Sequence, residues 1–457
     1  MFYYELSCGG NMNDGRARLT RRNLVAAAGV AVLAGCVSDD GSSDETPETV
    51  PEEYDHPIPG GDAEWDPPEG SPLEANLTVE TLVENLEIPW DVAFTPDGEL
   101  FVTERTGTVS RFESGTVAAV ASPQDAIDAG AVEPGSDERP WWVEGGEGGT
   151  LGIATHPSYP DERSVYVYYT ADGGDRHNRV VRYDVGASDP AATEERIVEG
   201  IPADNIHNGG RIAFGPDDNL WICTGDAGDG ALSRDLDSLA GKVLRVTPSG
   251  KPPGTNPDLD GDPRVFTYGH RNPQGIDWLP SGVPVVTEHG PTARDEIQVL
   301  RPGGDYGWNA VRGGPEDDSY DSYAAHDDVV PPVVHTGAGT GWAPTGATFY
   351  TGDGVHAWHN RYVFGGLGSQ AMYVLTLTPP DADPPPTDGT AWRFDVNWLD
   401  TTYTATVHRV LADKLGRVRH VAQSPDGDLY AITSNRDGRA RGEFPRERDD
   451  VLVRISG

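Results

Sequence analysis

Residues 89–104, PWDVAFTPDGELFVTE, decide the fold of this chain. Two runs of apolar and β-branched residues flank a Pro-Asp-Gly turn, which is the pattern of a β-hairpin. Further copies follow at intervals of roughly sixty to seventy residues. They lie at 149–169, 211–224, 275–288, 344–365 and 419–434. Because short antiparallel units repeated in this way close radially, we predict an all-β chain, a six-bladed β-propeller of four-stranded antiparallel blades.

The two ends of the repeating region are predicted to meet in one blade. Residues 77–83 and 450–455 each read as a single strand outside the six copies, so together they would complete the last blade and close the ring. The remaining length falls in inserts rich in Gly, Pro and Asp, which we interpret as loops on the functional face. These inserts are 225–240, 252–264, 303–340 and 379–402.

The composition limits the kinds of partner. The chain has 457 residues and a formal charge of −40, so nucleic acid and anionic membrane surfaces are poor partners for its folded part. Abundant acids with very few lysines favour adaptation to high salt, where screening weakens surface self-repulsion; an ordinary acidic extracellular protein is the alternative. The only cysteines, Cys8, Cys36 and Cys223, do not make a disulfide framework.

The N-terminal residues have the pattern of an export signal. Arg21 and Arg22 precede a short apolar run at 25–34, and Leu-Ala-Gly-Cys ends at Cys36. This predicts a twin-arginine lipoprotein signal over 1–36, starting at Met1 or Met12, with Cys36 lipidated at the outer face of the cell membrane. An acidic, Ser- and Pro-rich disordered tether would follow over 37–75, and the propeller would occupy 76–457.

The anchoring hypothesis makes a direct prediction. Cys36→Ser should move the mature protein from the membrane fraction to the soluble fraction, because the lipidated sulfur would be its only attachment. Thermal unfolding of the folded domain should not change, since the predicted tether separates the domain from the anchor. Fractionation of cells and a melting curve test this. A variant that stays in the membrane fraction would contradict the hypothesis.

Two stretches carry candidate site residues. Residues 268–275, YGHRNPQG, combine Gly and Pro with polar side chains, so they predict a tight loop that presents Arg271 and Asn272. Residues 288–296, EHGPTARDE, follow a short predicted strand, and carbonyls beside carboxylates are what calcium prefers. A polar turn without a metal is the alternative.

Three further positions stand immediately before predicted inner strands. His207 lies in NIHNGGR and is either a general base or a loop histidine with a satisfied hydrogen bond. Glu147 lies in a glycine-rich segment that allows close approach of a ligand. Arg417 and Arg419, two residues apart, would point to the same side of a strand and need an anion there, unless they offset surface acids.

The words GHRNPQG and EHGPTARDE together resemble the quinoprotein glucose and aldose sugar dehydrogenases, a glucose/sorbosone dehydrogenase-like family, from about residue 77 to the C terminus. The resemblance implies a six-bladed propeller that uses pyrroloquinoline quinone (PQQ) and calcium. It further implies oxidation of aldose sugars at the anomeric carbon to lactones. Electrons would pass to an external quinone or redox protein.

The resemblance also implies roles. His207 would be the catalytic base and Arg271 would stabilise the developing oxyanion. The carbonyls of Gly290 and Pro291 would bind calcium, with Asp295 and Glu296 as ligands of a possible second site. The residues around the cofactor would be Glu147, Arg271, Asn272, His289, Arg417 and Arg419.

This sequence departs from the glucose dehydrogenase branch at three places. His289 stands where that branch has glutamine, residues 365–370 lack its cofactor-contacting lysine, and residues 339–342 replace its Trp-x-Thr. Two other classes stay open, a calcium-dependent lactonase-like hydrolase and a non-catalytic binding propeller. The sequence does not identify the sugar, the electron acceptor or the oligomeric state.

Overall fold

The computed structural model describes residues 65–138, 140, 143–174 and 176–457. These residues form a six-bladed β-propeller, which confirms the predicted fold. The predicted signal, Cys36 and most of the predicted tether lie outside the described residues. Within the described part of the chain, no helix is long and apolar enough to cross a membrane.

Twenty-seven strands and five short 3-10 helices make up the described part of the chain. The strands up to residue 268 are β1 (Thr78–Val83), β2 (Pro89–Phe94), β3 (Leu100–Glu104), β4 (Thr108–Glu113), β5 (Thr116–Ala121), β6 (Thr150–Thr155), β7 (Ser164–Ala171), β8 (His177–Asp184), β9 (Glu195–Pro202), β10 (Ile212–Phe214), β11 (Leu220–Cys223), β12 (Lys242–Val246) and β13 (Val265–Tyr268).

The strands after residue 268 are β14 (Pro273–Trp278), β15 (Pro284–Glu288), β16 (Glu296–Val299), β17 (Val311–Gly313), β18 (Asp321–Ser322), β19 (Val334–His335), β20 (Pro344–Tyr350), β21 (Arg361–Gly366), β22 (Ala371–Thr378), β23 (Ala391–Phe394), β24 (Thr404–Val410), β25 (Val418–Gln423), β26 (Leu429–Thr433) and β27 (Leu452–Ser456). The 3-10 helices are Pro72–Glu74, Pro190–Thr193, Gly230–Arg234, Tyr323–Ala325 and His356–Trp358.

Five blades have four strands each. In the order of the blades they are β2-β3-β4-β5, β6-β7-β8-β9, β10-β11-β12-β13, β14-β15-β16-β19 and, as blade six, β25-β26-β27-β1. Blade five has an extra strand from the 379–402 insert, in the order β20-β21-β22-β24-β23. The 303–340 insert forms the small parallel pair β17-β18 beside blade four.

Each predicted sequence copy forms the two inner strands of one blade. In the first copy, β2 and β3 pair antiparallel with Phe94 opposite Leu100. The turn is closed because the Thr95 amide donates to the Glu99 carbonyl at 2.8 Å. Gly98 adopts φ +92°, a conformation that favours glycine, so the Pro-Asp-Gly signal identified this turn for a physical reason.

The first and last strands close the ring as predicted. β1 pairs antiparallel with β27 from Thr78, opposite Ser456, to Val83, opposite Leu452. β27 in turn pairs with β26, so the N-terminal strand becomes the outermost strand of blade six. The apolar core lies between neighbouring blades, in six main clusters that each combine residues of adjacent blades.

Residues 65–75, the end of the segment predicted as a tether, lie against blade five. The ring of Trp65 contacts Phe349 edge-on with centroids 5.2 Å apart. Arg361 donates to the carbonyl of Pro68 at 3.2 Å, and the Trp358 indole donates to the carbonyl of Pro72 at 3.0 Å. This stretch is therefore packed on the propeller, and the boundary at 75/76 stays a prediction.

Strand direction determines where the site forms. The inner strands β6, β10, β14 and β25 all start at the same mouth of the axial channel, and each second strand returns to that mouth because it runs antiparallel. The candidate residues precede inner strands or follow second strands. Segments far apart in sequence are therefore brought to one end of the axis.

Ring closure can be tested by truncation. A variant lacking residues 1–83 loses β1 and exposes the edge of β27, so it should associate more readily than a variant lacking residues 1–75. Its Tm should be lower by more than about 5 °C. Thermal melts and size-exclusion chromatography measure both effects, with a variant lacking residues 1–64 as the reference. Equal melting of the two shorter variants would show that β1 contributes nothing to closure.

Candidate active site

His207 is held in a fixed position before β10. Its φ is +56°, and its amide donates to Oε2 of Glu147 at 2.8 Å. Its Nδ1 lies 2.7 Å from Oδ1 of Asp226, and the side chain is 13% exposed. A Cβ at Gly225 would collide with the His207 carbonyl oxygen, so glycine at this position allows the close approach.

Asp226 determines which nitrogen of His207 is basic. This carboxylate follows β11 and accepts hydrogen bonds from the Gly228 amide at 2.8 Å and from the Trp308 indole at 2.6 Å. An ionised carboxylate can only accept, so the nitrogen facing it, Nδ1, carries the imidazole proton. Because Nδ1 makes this hydrogen bond, Nε2 is the nitrogen left to accept a proton.

Arg271 is positioned by buried charges behind the cavity. Its amide donates to Oε1 of Glu288 at 2.6 Å. Glu288 also binds His270 Nδ1 at 2.8 Å and Arg312 at 2.9 Å, and these side chains are fully buried. The Arg271 guanidinium donates to the His289 carbonyl at 3.2 Å. Burial, with the nearby Arg312, lowers the pKa of Arg271.

Glu147 and His289 line the same cavity, and the protein lowers the pKa of both side chains. Glu147 accepts from Arg439 at 3.1 Å as well as from the His207 amide. Burial alone would raise its pKa, but Arg439 and His207 lower it to about 2. Burial lowers the pKa of His289 to about 3, so this imidazole is neutral near pH 7.

The structure separates the two arginines of the Arg-x-Arg pair. Arg419 reaches the cavity, donates to Gln274 at 2.8 Å and lies over Trp90 with its guanidinium carbon 5.5 Å from the ring centroid. Burial lowers its pKa to about 9. Arg417 instead binds Asp437 at 2.6 Å and the Leu367 carbonyl at 3.0 Å. It does not line the cavity.

Most of the predicted site residues line a single pair of adjoining cavities. The larger has a volume of about 230 Å³ and is lined by Glu147, His207, Arg271, Asn272, His289, Gly290, Ala293, Asp295, Gly341, Ala343 and Gly368. The smaller, about 30 Å³, shares Glu147, Asn272 and His289 with it and adds Arg419. Side chains from blades two, three, four and six thus converge at one mouth.

The four predicted metal residues are in different environments. Asp295 lines the cavity, but its oxygens accept the amides of Gly290 at 2.9 Å, Trp342 at 2.6 Å and Ala343 at 2.9 Å. The Pro291 carbonyl accepts from Arg294 at 3.3 Å. The described residues contain no cluster of three or more His, Cys, Asp or Glu suited to a metal. A cation here would therefore depend on main-chain oxygens.

Glu296 points away from the cavity into the blade. It accepts from Tyr323 at 2.8 Å, from Gln298 at 2.8 Å and from Arg312 at 2.9 Å, and its side chain is fully buried. Asp295 comes immediately before β16 and Glu296 is the first residue of that strand, and the two side chains have different surroundings, the cavity for Asp295 and the blade interior for Glu296. The sequence did not show which of the two would face the cavity.

Sequence reasoning missed residues that complete the site. Asp226 and Trp308 lie in the inserts 225–240 and 303–340, which were predicted only as functional loops. Arg105, Asp437 and Arg439 line the smaller cavity. The sequence offered one signal for these residues, because they follow second strands or lie in inserts. That signal does not show which residue each of them contacts.

With this geometry established, comparison with known proteins assigns the family. The family described as Glucose / Sorbosone dehydrogenase matches residues 86–442. This chain belongs to that family. The match confirms the resemblance drawn from the two sequence words, and members of the family are sugar dehydrogenases.

Two curated relatives and one solved structure match this chain over most of its length. Aldose sugar dehydrogenase YliI of Escherichia coli is 27% identical over 391 residues, 81% of this chain and 94% of that protein. Quinoprotein glucose dehydrogenase B of Acinetobacter calcoaceticus is 27% identical over 78% of this chain and 85% of its own. The PQQ-bound aldose sugar dehydrogenase of Streptomyces coelicolor is 30% identical, with a TM-score of 0.64 over 86% of this chain and 99% of its own.

The position of Glu296 makes a prediction about metal binding. Glu296→Gln should lower the free energy of unfolding by about 2–4 kcal/mol, because Arg312 would lose one buried partner. If calcium stabilises the protein, the calcium concentration for half-maximal stabilisation should not change. Denaturant melts at several calcium concentrations measure both quantities, and Glu316→Gln at an exposed position is the control. Weaker calcium binding with unchanged stability would instead make Glu296 a ligand.

Proposed function

We propose that this dehydrogenase oxidises aldose sugars at the anomeric carbon to lactones, using PQQ and calcium, and passes the electrons to an external acceptor. The observation that carries the proposal is the pairing of two features at the two adjoining cavities. One is His207, whose Nε2 is left as the proton acceptor. The other is a pair of desolvated cations, Arg271 and Arg419, to which no carboxylate of the described residues is directly bonded. Family membership supports sugar oxidation in general, and these residues support its finer description.

The residues around the cavity fit a carboxylated quinone. Nε of Arg271, Nε of Arg419 and Nε2 of His289 are buried and have no hydrogen-bond partner among the described residues. Leaving such polar atoms unpaired is costly, so a bound group with acceptor oxygens would stabilise all three. Asn272 adds an amide at the junction of the two cavities. These residues would hold PQQ.

Calcium fits less fully than the quinone. Gly290 and Asp295 line the cavity, and main-chain carbonyls next to a carboxylate are suitable ligands for a hard cation. The Asp295 oxygens already accept backbone amides, so we assign calcium to the carbonyls of Gly290 and Pro291. Binding there would require the Pro291 carbonyl to give up its contact with Arg294. When bound, PQQ would accept a hydride and calcium would act as a Lewis acid.

The chain itself supplies the acid–base chemistry. His207 takes the proton of the anomeric hydroxyl at Nε2, while the Asp226 carboxylate stabilises the imidazolium that forms. Arg271 provides positive charge beside the reacting oxygen. The neutral His289 can accept or donate a hydrogen bond without adding a charge to the cavity. Each group is held by protein contacts before any ligand arrives, so little reorganisation is needed.

The two other classes gain no support from the cavity. A lactonase-like hydrolase needs carboxylates free to bind a metal or activate water, but Glu147 and Asp295 accept hydrogen bonds at both of their oxygens. A binding propeller does not need a His–Asp pair beside unpartnered arginines. We further propose export by the twin-arginine route and a lipid anchor at Cys36, with a quinone or redox protein as the acceptor.

The role of His207 can be tested with His207→Gln, which keeps a hydrogen-bonding group but cannot take the proton. The kcat should fall by at least ~10²-fold, while PQQ still binds, because a general base contributes ~10²–10⁴-fold to the rate. Steady-state dye reduction with several aldoses, after loading the protein with PQQ and calcium, measures kcat. Near-parental kcat in this variant would refute the mechanism.

Arg419→Ala provides the complementary comparison. It should weaken PQQ binding, with activity partly recovered at high PQQ concentration, because it removes a cofactor contact and leaves the base intact. Equilibrium titration of the metal- and cofactor-free protein with PQQ measures the affinity. A loss of kcat that excess PQQ cannot restore would assign Arg419 a different role.

A further inference from the structure

Trp308 lies between the His207–Asp226 pair and Arg271. Its indole N–H donates to Oδ2 of Asp226 at 2.6 Å, and the other oxygen of Asp226 binds His207. The same ring lies 5.4 Å from the guanidinium carbon of Arg271. One side chain therefore contacts both the partner of the base and the arginine beside the cavity.

The main chain of Trp308 is fixed by the loops that carry those partners. Its amide donates to the Gly269 carbonyl at 2.9 Å, two residues before Arg271. Its carbonyl accepts from Ser233 Oγ at 2.5 Å, in the insert that also contains Asp226. The side chain is only 8% exposed. Trp308 is thus held rigidly against both loops without lining the larger cavity itself.

We propose that Trp308 is a positioning residue. Through two separate interactions it holds the His207–Asp226 pair and the Arg271 guanidinium in their relative positions. The indole N–H orients the Asp226 carboxylate, and the ring face supports the Arg271 cation. This inference rests on the proposed function, since it assigns Trp308 to the same site.

The first interaction acts on the base. Asp226 accepts from His207, Trp308 and the Gly228 amide, so its carboxylate is fixed by three donors. Without the indole N–H, Oδ2 would lose its charge-assisted hydrogen bond inside a buried site. The carboxylate could then rotate, and the imidazole would spend less time in the orientation that presents Nε2.

The second interaction acts on the cation. Arg271 has no carboxylate directly bound to its guanidinium, and Nε lacks a partner among the described residues. An aromatic face stabilises such a desolvated cation without neutralising it. The charge therefore stays available to an anionic ligand. The guanidinium carbon of Arg312 lies 6.0 Å from the centroid of the same ring. The ring therefore contacts two cations, and the repulsion between these cations is a cost of the arrangement.

Two substitutions separate the interactions. Trp308→Phe keeps an aromatic ring but removes the N–H, so kcat should fall about tenfold while PQQ affinity stays within about threefold of the parent. Trp308→Leu removes both features, so it should lower kcat and also weaken PQQ binding by about tenfold. The measurements are kcat by dye reduction and PQQ affinity by equilibrium titration of the cofactor-free protein.

Trp278→Phe is the matched control. This variant makes the same Trp-to-Phe change at another position. The indole N–H of Trp278 is buried without a hydrogen-bond partner in the described structure, and Trp278 lies away from the cavity at the end of β14. This variant should keep parental kcat and PQQ affinity. Melting curves for all variants show whether each remains folded.

A double-mutant cycle with Asp226→Asn distinguishes positioning from general stability. If Trp308 acts through Asp226, Trp308→Phe should lower kcat by less than about twofold in the Asp226→Asn background. Fully additive losses, or equal effects of Phe and Leu on both kcat and PQQ affinity, would overturn the inference. If the parent neither binds PQQ nor oxidises aldoses, the proposed function itself fails. A functional parent with a fully active Trp308→Phe variant removes only the role of Trp308.

Discussion

The antiparallel pairing of β1 with β27 is the constraint on which the rest of the structure depends. It joins residues 78–83 to residues 452–456 and makes the sheet series a closed ring. The apolar clusters lie between neighbouring blades, so each blade requires a neighbour on both sides. Closure also fixes all inner strands around one axis. The site exists because these strands start at the same mouth.

Around that mouth, the acidic and the basic side chains differ in how fully the protein satisfies their hydrogen bonds. The cavity carboxylates Glu147 and Asp295 have both oxygens occupied by protein donors. By contrast, Arg271 and Arg419 each have a buried Nε without a hydrogen-bond partner in the described part of the chain. In a chain of formal charge −40, buried arginines that line a cavity without a bonded carboxylate among the described residues fit an anionic ligand. The local charge pattern, not the net charge, therefore supports the anionic ligand that we propose.

A fully buried network supports the site from behind. Arg312 bridges Glu288 and Glu296, and Glu288 holds both His270 and the Arg271 amide. Burying these charges has a large desolvation cost, which the two carboxylates offset only in part, since Nε and Nη2 of Arg312 are buried without a hydrogen-bond partner among the described residues. Arg312 belongs to the 303–340 insert, as does Trp308. The insert predicted as a functional loop therefore provides the supports of the site more than its cavity lining.

The sequence by itself determined the six hairpins, the closing strands and most of the residues at the mouth, because turn chemistry and strand period are local properties. Tertiary structure decided the rest. A register shift between Val418 and His420 interrupts strict alternation, so Arg419 lines the cavity while Arg417 binds Asp437. Asp295 lines the cavity while Glu296 is buried in the blade, and the packing of blade three against blade four brings Asp226 and Trp308 together. Such contacts join segments more than eighty residues apart, and no local pattern encodes the distance between them.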